Sequence, residues 1–311
     1  MESFREVAAN LVSAVDFVRW GASRFRDAGL HFGHGTDNAV DEALALVLHG
    51  LHLPHGLPDS ILAGRLLPGE KRTLYDLIWR RVHERIPVAY ITGEAFFAGL
   101  SFEVSRDVLV PRSPMAELIE RDLAPWADPG AVGHVLDLCA GSGCIGIALA
   151  ARLPWVQVDL GDISAKALAV AARNVERHAM QERINIVQSD LFAALGDRVY
   201  DVILTNPPYV GSGEMAGLPP EYRHEPRLGL ETGREGLEIP LRILASAGDY
   251  LSEHGVLFLE VGYGWPRLED ALPGVPLTWV ELERGGEGIL VMQAAELLEH
   301  RAAFQQALEE R

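Results

Sequence analysis

Apolar residues recur every three or four positions through residues 1–91, a spacing that places them on one face of an α-helix. The clearest series is Phe4, Val7, Leu11, Val15 and Val18. Pro54, Pro58 and Pro68 interrupt the pattern and divide it into short segments. The pattern therefore predicts a small helical domain over residues 1–91.

Between residues 92 and 114 the pattern changes to two short β-prone runs on either side of Ala98-Gly99-Leu100. A glycine between two such runs is typical of a tight turn. The sequence therefore predicts a β-hairpin linker over 92–114, followed by one more helix at about 115–127.

From His134 onward, apolar runs typical of strands alternate with helical patterns. This alternation predicts an α/β fold, with a doubly wound, mostly parallel sheet of the Rossmann-like kind and helices on both faces. The last two predicted strands are close in sequence, which indicates an antiparallel edge strand. We expect the α/β domain to cover residues 115–294, and an amphipathic helical tail to follow at 295–311.

Composition limits the class of partner. Of 311 residues, 27 are Lys or Arg and 44 are Asp or Glu, which gives a net charge of −17. Such an acidic chain does not attract nucleic acid by bulk electrostatics, whereas it can attract a basic protein. No run of 18 apolar residues occurs, and the first ten residues lack the apolar core of a signal peptide. We therefore expect a soluble cytoplasmic protein that binds neither DNA nor a membrane.

The first candidate site lies in VLDLCAGSGCIGIALA, residues 135–150. Gly141 and Gly143 fall where a predicted strand ends and a helix begins, and glycine lets a ligand approach the backbone there. With Gly146 they also form the Gly-x-Gly-x-x-Gly pattern of dinucleotide-binding turns. Asp162 ends the next predicted strand, where a carboxylate can accept hydrogen bonds from both ribose hydroxyls. A tight turn and a helix-capping aspartate would explain these residues without a ligand.

The second candidate site is Asn206-Pro207-Pro208-Tyr209, which directly follows the apolar run DVILT. Strands of a parallel sheet end at one edge, so this tetrapeptide should face the same cleft as the glycine turn. The Asn206 side-chain oxygen and the Pro207 carbonyl can accept hydrogen bonds from two N–H groups of a planar nitrogen. Two prolines fix φ, and the Tyr209 ring offers a flat stacking face. A proline-rich turn that only ends the strand is the alternative interpretation.

Such a clamp suits a reaction on an amide or exocyclic amino nitrogen. The lone pair of this nitrogen is delocalised, so the nitrogen is a poor nucleophile unless it is held in line with an electrophile. The same acceptors stabilise the positive charge that develops on the nitrogen. The tetrapeptide therefore predicts group transfer to such a nitrogen, without a strong general base.

Cysteines and histidines add no further chemistry. Cys139 and Cys144 lack zinc-site spacing and an identifiable activating base, and we interpret them as small side chains within the turn. No carboxylate or cysteine joins the N-terminal histidines at ligand spacing, so we predict no metal site. These histidines are His31, His34, His49, His52 and His55.

The motif Asp-Leu-x-Ala-Gly-Ser-Gly at 137–143, together with Asn-Pro-Pro-Tyr, resembles the class I S-adenosylmethionine methyltransferases. PVAYITGEAFFAGLSFEVSRDVLVPR, LPPEYRHEPRLGLETGREGLEIPLRIL and PLTWVELERGGEGILVM resemble the HemK-type protein-(glutamine-N5) methyltransferases. Release-factor enzymes of that family typically continue with Pro-Glu-Thr-Glu after the Pro-Arg pair. This chain instead has Ser113-Pro114-Met115, which is similar to the branch that methylates a glutamine of the third protein of the large ribosomal subunit.

The resemblance implies S-adenosyl-L-methionine as the cofactor, a basic ribosomal protein as the partner, and a helical domain that docks the substrate. It implies a catalytic role for Asn206, Pro207 and Tyr209, and a glutamine held by these residues and Pro208. The implied cofactor-binding residues are Phe97, Arg112, Asp137, Cys139, Ala140, Gly141, Ser142, Gly143, Asp162, Asp190, Leu191 and Asn206. Cys139 departs from the family, in which glycine is frequent at this position, and we expect only its backbone to matter.

Four alternatives remain at this stage. A release-factor glutamine methyltransferase would differ only in its docking surface. A DNA adenine-N6 methyltransferase would need a basic recognition module, whereas residues 1–95 hold 10 basic and 12 acidic residues, and residues 190–311 hold 9 and 21. A NAD-dependent dehydrogenase would leave the Asn-Pro-Pro-Tyr tetrapeptide unexplained. A non-catalytic cofactor-binding assembly factor is the remaining alternative.

Overall fold

A computed structural model of the protein describes residues 1–311, and of residue 59 it describes the backbone only. The chain divides into two compact units. The first unit comprises Met1–Ala95 and the segment Pro219–His224, and the second comprises Phe96–Leu218 and Glu225–Arg311. The first unit therefore contains the helical region, and the second contains the α/β region.

The first unit is helical, as the sequence predicts. Its helices are α1 (Phe4–Asn10), α2 (Ala14–Asp27), α3 (Ala39–Gly50), α4 (Asp59–Leu62), α5 (Pro68–His83) and α6 (Val88–Thr92). Polar side chains fix where the helices begin: Ser13 caps α2 together with Asp16, and Asn38 caps α3. Phe17, Phe25 and other apolar side chains from these helices form one core. Local caps and a shared apolar face thus account for this unit.

A buried cluster of charges lies within the first unit. The Arg81 guanidinium donates to Glu42 from Nε over 2.7 Å and to the His31 carbonyl from Nη2 over 2.8 Å. Glu221, which belongs to the segment Pro219–His224, lies 3.4 Å from Arg81 Nη1 and 2.9 Å from Arg85 Nη2. The side chains of Arg81, Glu42 and Glu221 are all fully buried. This cluster ties the segment Pro219–His224 to the helices.

A two-stranded hairpin follows, formed by β1 (Glu94–Phe97) and β2 (Leu100–Glu103). Ala98 and Gly99 occupy its turn with φ of 46° and 78°, the left-handed conformation that a tight hairpin turn requires. The helix predicted at 115–127 is shorter, and α7 spans Met115–Glu120. It ends there because Asp122 and Leu123 also have positive φ values.

The second unit is built on a seven-stranded sheet in the order β5-β4-β3-β6-β7-β9-β8. Its strands are β3 (His134–Leu138), β4 (Gln157–Asp162), β5 (Ile184–Gln188), β6 (Tyr200–Thr205), β7 (Leu251–Glu260), β8 (Thr278–Trp279) and β9 (Ile289–Gln293). The remaining helices are α8 (Cys144–Arg152), α9 (Ala165–Arg177), α10 (Glu238–Ala247), α11 (Trp265–Ala271), α12 (Ala294–Glu299) and α13 (Arg301–Glu309). Two apolar cores contain alternate residues of the strands, so the α/β fold with a doubly wound sheet is confirmed.

The predicted antiparallel edge of the sheet is confirmed, and the structure adds the order of its last two strands. β9 pairs antiparallel with both β7 and β8, so it lies inside the sheet and β8 forms the edge. Four successive residues of β9, from Ile289 to Met292, are buried. A strand whose two faces are both covered has a continuous run of apolar residues. The apolar run of β9 therefore fits a position inside the sheet, and its neighbour β8, with two residues, forms the edge.

The predicted tail at 295–311 forms α12 and α13, which belong to the second unit. Phe304 and Ala307 of α13 are buried in the same core as Leu241 and Leu244 of α10. The amphipathic pattern of the tail is therefore explained by packing within the α/β unit. Among the described residues, no helix combines the length and apolar character needed to cross a membrane.

Replacing Arg81 with methionine should lower the free energy of unfolding of the first unit by about 3–5 kcal/mol, because buried Glu42 loses its ion-pair partner and buried Glu221 keeps only Arg85. Arg80→Met is the matched control, since Arg80 lies next to Arg81 on α5 and its ion pair with Glu84 is exposed, at 3.7 Å. This control should cost about 1 kcal/mol or less. Urea unfolding of both variants measures the difference, and equal losses would contradict a special role for the buried cluster.

Candidate functional site

A cavity of about 400 Å³ lies within the second unit, at the carboxyl ends of β3, β4 and β6. Its volume is within the usual range for small-molecule sites. Both candidate motifs line it. The lining residues from these motifs are Cys139, Ala140, Gly141, Ser142, Asn206, Pro207, Pro208 and Tyr209. Asp162, Asp190, Leu191 and Arg112 also line the cavity, so most of the predicted site residues lie together.

The turn between β3 and α8 requires glycine for two different reasons. Gly141 and Gly143 have φ of 56° and 77°. A Cβ atom on Gly141 would meet no protein atom within 4 Å, and this residue faces the cavity. A Cβ atom on Gly146 would lie 2.6 Å from the Leu160 side chain, so this glycine lets α8 pack closely on β4. The first glycine thus serves the cavity, and the third serves helix-to-strand packing.

Cys139 begins this turn with a φ of 60°, the conformation in which glycine is favoured. Cys139, which stands where the family frequently has glycine, therefore occupies a strained backbone position. Burial raises the pKa of the Cys139 thiol well above its ordinary value, and burial also raises the pKa of Cys144 to about 12. Both thiols are protonated at neutral pH, so neither is an activated nucleophile.

Three predicted site residues do not line the cavity among the described residues. Gly143 lies behind the turn, against Leu160. Phe97 is buried in the core 6.5 Å from the Phe102 ring, because it is an inward-facing residue of β1. Asp137 is fully buried, and its Oδ2 accepts the Gly146 N–H over 2.8 Å. We therefore assign Asp137 to holding the turn on α8.

Asp162, at the end of β4, faces the cavity and also fixes the turn. Its Oδ2 accepts the Gly141 N–H over 2.9 Å, and its Oδ1 accepts the Ser164 N–H over 2.8 Å. Each carboxylate oxygen retains a second lone pair, which leaves acceptor capacity for a ligand. Burial raises the pKa of Asp162, and the backbone N–H groups of Ser164 and Gly141 oppose this increase.

Asn206–Tyr209 continue directly from β6 into a loop that folds back on itself. The Val210 N–H donates to the Leu230 carbonyl over 2.8 Å, and the Thr232 N–H donates to the Val210 carbonyl over 3.0 Å. Leu230 and Thr232 also line the cavity. The tetrapeptide is therefore supported by backbone hydrogen bonds close to the point where it faces the cavity.

Arg112 is oriented by a carboxylate that the sequence analysis did not single out. Its guanidinium donates to Glu225 over 2.5 and 2.8 Å, and the Val110 N–H donates to the same carboxylate over 3.1 Å. Glu260 was also missed, although it lines the cavity at the end of β7. The available signal was a single acidic residue closing the apolar run GVLFLE.

Among the described residues, no group of three or more His, Cys, Asp or Glu side chains is placed to hold a metal ion.

Asp137 makes stability depend on pH, because burial raises its pKa from 3.8 to about 7. Between about pH 4 and about pH 7 the folded state binds more protons than the unfolded state. The free energy of unfolding therefore falls as the pH rises through this range. Asp137→Asn keeps an acceptor for the Gly146 N–H and removes the charge. Its stability relative to the wild type should therefore increase across this window, by at most about 4 kcal/mol. Urea unfolding of the unliganded protein at several pH values measures the difference.

Asp201→Asn is the control of opposite sign. Burial acts to raise the pKa of Asp201, but the His134 and Gly133 N–H groups and the Ser252 hydroxyl lower it further than burial raises it. Asp201→Asn should be less stable than the wild type at neutral pH. This difference in the free energy of unfolding should disappear only as the pH falls below the ordinary pKa range of aspartate. A pH-independent difference between Asp137→Asn and the wild type would contradict the proposed ionisation.

Comparisons with known proteins show the family to which the chain belongs. Residues 122–217 match the family described as methyltransferase small domain. The chain is 50% identical over 296 residues to a ribosomal protein uL3 glutamine methyltransferase of Xanthomonas campestris pv. campestris, a match that covers 95% of this chain and 96% of the relative. It is 48% identical to the protein of the same name from Bordetella pertussis, over 91% of this chain and 95% of the relative.

Among solved structures, the fold is similar to that of the hMettl16 catalytic domain in complex with MAT2A 3'UTR hairpin 6. The TM-score is 0.50 at 18% identity, and the match covers 72% of this chain and 81% of that one. At this identity the likeness shows the fold alone. The match to the uL3 enzymes extends over nearly the whole chain. The chain therefore belongs to the family of the ribosomal protein uL3 glutamine methyltransferases.

Proposed function

We infer that this protein transfers a methyl group from S-adenosyl-L-methionine to the side-chain amide nitrogen of a glutamine in ribosomal protein uL3. The observation that carries this proposal is that the glycine turn and the Asn206–Tyr209 tetrapeptide line one cavity. Donor and acceptor of the methyl group can then meet in a single site. A ribosomal protein as substrate would place the reaction in the cytoplasm.

The cavity residues fit this cofactor. Gly141 leaves open space where a side chain would stand, and Asp162 keeps free lone pairs towards the cavity. Bound S-adenosylmethionine supplies an electrophilic methyl group on a positively charged sulfur. We assign its methionine part to the turn Cys139–Ser142, its ribose to Asp162 and its adenine to Asp190 and Leu191. Asp190 accepts a hydrogen bond from Arg242 over 3.0 Å, which orients its carboxylate at the cavity wall.

The tetrapeptide performs the positioning. The Asn206 side-chain oxygen and the Pro207 carbonyl accept the two N–H groups of the glutamine amide, and Tyr209 supplies a flat surface for it. Orientation of the nitrogen can contribute several kcal/mol to lowering the barrier. The nitrogen gains a methyl group and loses one proton. Because the methylated nitrogen is acidic before it loses that proton, no strong general base is needed.

The charge of the chain supports a basic protein as substrate. The net charge is −17, and ribosomal proteins that bind RNA are typically basic. Attraction between opposite charges accelerates the encounter of the two proteins, and added salt weakens that attraction. The release-factor alternative shares the same chemistry, so the substrate assay must include both proteins.

Asn206→Ala should lower the rate of methyl transfer to uL3 by about 100-fold or more, because one of two preorganised acceptors is lost. Mass spectrometry of the substrate protein measures the added methyl group. Asn185→Ala is the matched control, since Asn185 is an exposed asparagine on β5 outside the cavity lining. Equal labelling by the two variants would remove the clamp from the mechanism.

Offered unmethylated uL3 and a release factor side by side, the protein should methylate uL3 preferentially. The KM for uL3 should rise several-fold as ionic strength increases, while the Kd for S-adenosylmethionine stays constant. Initial rates at a series of salt concentrations, with isothermal titration for the cofactor, provide both quantities. Preferential labelling of the release-factor Gly-Gly-Gln would reassign the substrate.

A further inference from the structure

Glu260 is a buried carboxyl in the cavity wall to which the mechanism above gives no role. It is the last residue of β7, it is 4% exposed, and its backbone pairs with Ile289 of β9. Its side chain lies between two parts of the site that are distant in sequence, Ser113 and Tyr209. A buried acidic group with specific partners at the cavity requires an explanation.

We propose that Glu260 is a positioning residue for methyl transfer, whose ionised carboxylate holds Tyr209 in place and joins it to the linker at Ser113. This inference rests on the proposed function, because it concerns the same site. Glu260 acts here through Tyr209 and does not itself touch the glutamine.

The hydrogen bonds have a defined direction. Ser113 Oγ accepts the Met115 N–H over 3.1 Å and donates its own proton to Glu260 Oε2 over 2.5 Å. The Tyr209 hydroxyl donates to Glu260 Oε1 over 3.3 Å. Each carboxylate oxygen thus receives one hydroxyl proton, an arrangement that suits the ionised form. A protonated Glu260 would lose the negative charge that makes it a strong acceptor for both hydroxyls.

The backbone at two glycine positions also lies close to Tyr209. A Cβ atom on Gly262 would lie 3.0 Å from the Tyr209 ring, and Gly262 has a φ of 48°. A Cβ atom on Gly236 would lie 2.1 Å from the Tyr209 carbonyl oxygen. The tyrosine therefore packs against two glycine positions, and the hydroxyl bond to Glu260 fixes the far end of its ring.

The surroundings of Glu260 determine its titration. Burial raises its pKa above the ordinary glutamate value, while the Ser113 and Tyr209 hydroxyls and the positive charge of Arg112 oppose the increase. Arg112 is in turn paired with Glu225. As pH falls through the raised pKa, Glu260 becomes neutral, and the hydrogen bond from Tyr209 weakens because its acceptor is no longer charged. The kcat should then decrease on the acid side.

Other carboxyl groups near the cavity also have raised pKa values, so the measurements must distinguish their titration from that of Glu260. Asp137 and Asp162 hold the turn, and their protonation should change the Kd of the cofactor. Glu260 should change kcat at saturating cofactor and substrate. The acid limb of kcat is therefore the readout assigned to Glu260.

Glu260→Gln should lower kcat about 10-fold, because Tyr209 and Ser113 lose a charged acceptor, and it should remove the acid limb of the pH profile. The Kd of S-adenosylmethionine should stay unchanged. The matched control is Glu253→Gln, an exposed glutamate near the start of the same strand, which should leave kcat unchanged. Ser113→Ala serves as the second variant if Glu260→Gln does not fold, and it should shift the acid limb to a different pH.

A double-mutant cycle shows whether Glu260 acts through Tyr209. Glu260→Gln combined with Tyr209→Phe should be no slower than Tyr209→Phe alone, because the same hydrogen bond is already lost. Additive losses in kcat, or an acid limb that persists in Glu260→Gln, would overturn the proposal.

A second measurement does not depend on the substrate. In protein labelled with ¹³C-tyrosine, the ring resonance of Tyr209, assigned by its absence in Tyr209→Phe, should shift with the titration of Glu260. The shift should vanish in Glu260→Gln. If the wild type leaves uL3 unmethylated, the proposed function fails while this titration still tests the hydrogen bond. A Tyr209 resonance that is unaffected by Glu260→Gln would overturn the inference by itself.

Discussion

The parallel pairing of β3 with β6 is the constraint on which the site depends. In its register Leu138 lies beside Thr205, so the next residues of the two strands, Cys139 and Asn206, leave the sheet next to each other. Motifs separated by more than sixty residues of sequence thereby line one cavity. Because side chains alternate between faces of a strand, a slip of one residue would turn one motif away from the other.

Around this sheet edge, carboxylates fix the backbone of the loops. Asp137 binds the Gly146 N–H, Asp162 binds the Gly141 N–H, and Glu225 binds the Val110 N–H. Burial of these groups is unfavourable for their charged forms, and hydrogen bonds from the backbone offset part of that cost. The outcome is a set of irregular segments held in defined positions without a metal or a disulfide among the described residues.

The segment that follows the tetrapeptide contributes to both compact units. Glu221 joins the buried charges around Arg81 in the helical unit, whereas Glu225 orients Arg112 in the α/β unit. Each carboxylate has an arginine partner within its own unit. These two acidic residues, in a stretch of sequence that carried part of the family resemblance, thus have structural partners.

The sequence by itself determined the elements and the two motifs. Apolar runs predicted the strands of the sheet, and a spacing of three or four residues predicted the helices. The residue types of Gly141 and of Asn206–Tyr209 indicated close approach to a ligand and a rigid acceptor clamp. These are local properties, because a backbone conformation or a hydrogen-bonding group belongs to the residue itself.

Only the tertiary structure decided which side chains face the cavity. It placed Phe97 in the core, Asp137 behind the turn and Glu260 against Tyr209, and it put β9 inside the sheet. Each of these depends on which strand neighbours which and on which face of an element is covered. The strand pattern predicted that the two motifs face one cleft, but these particular placements depend on strand order and register, which no local pattern encodes.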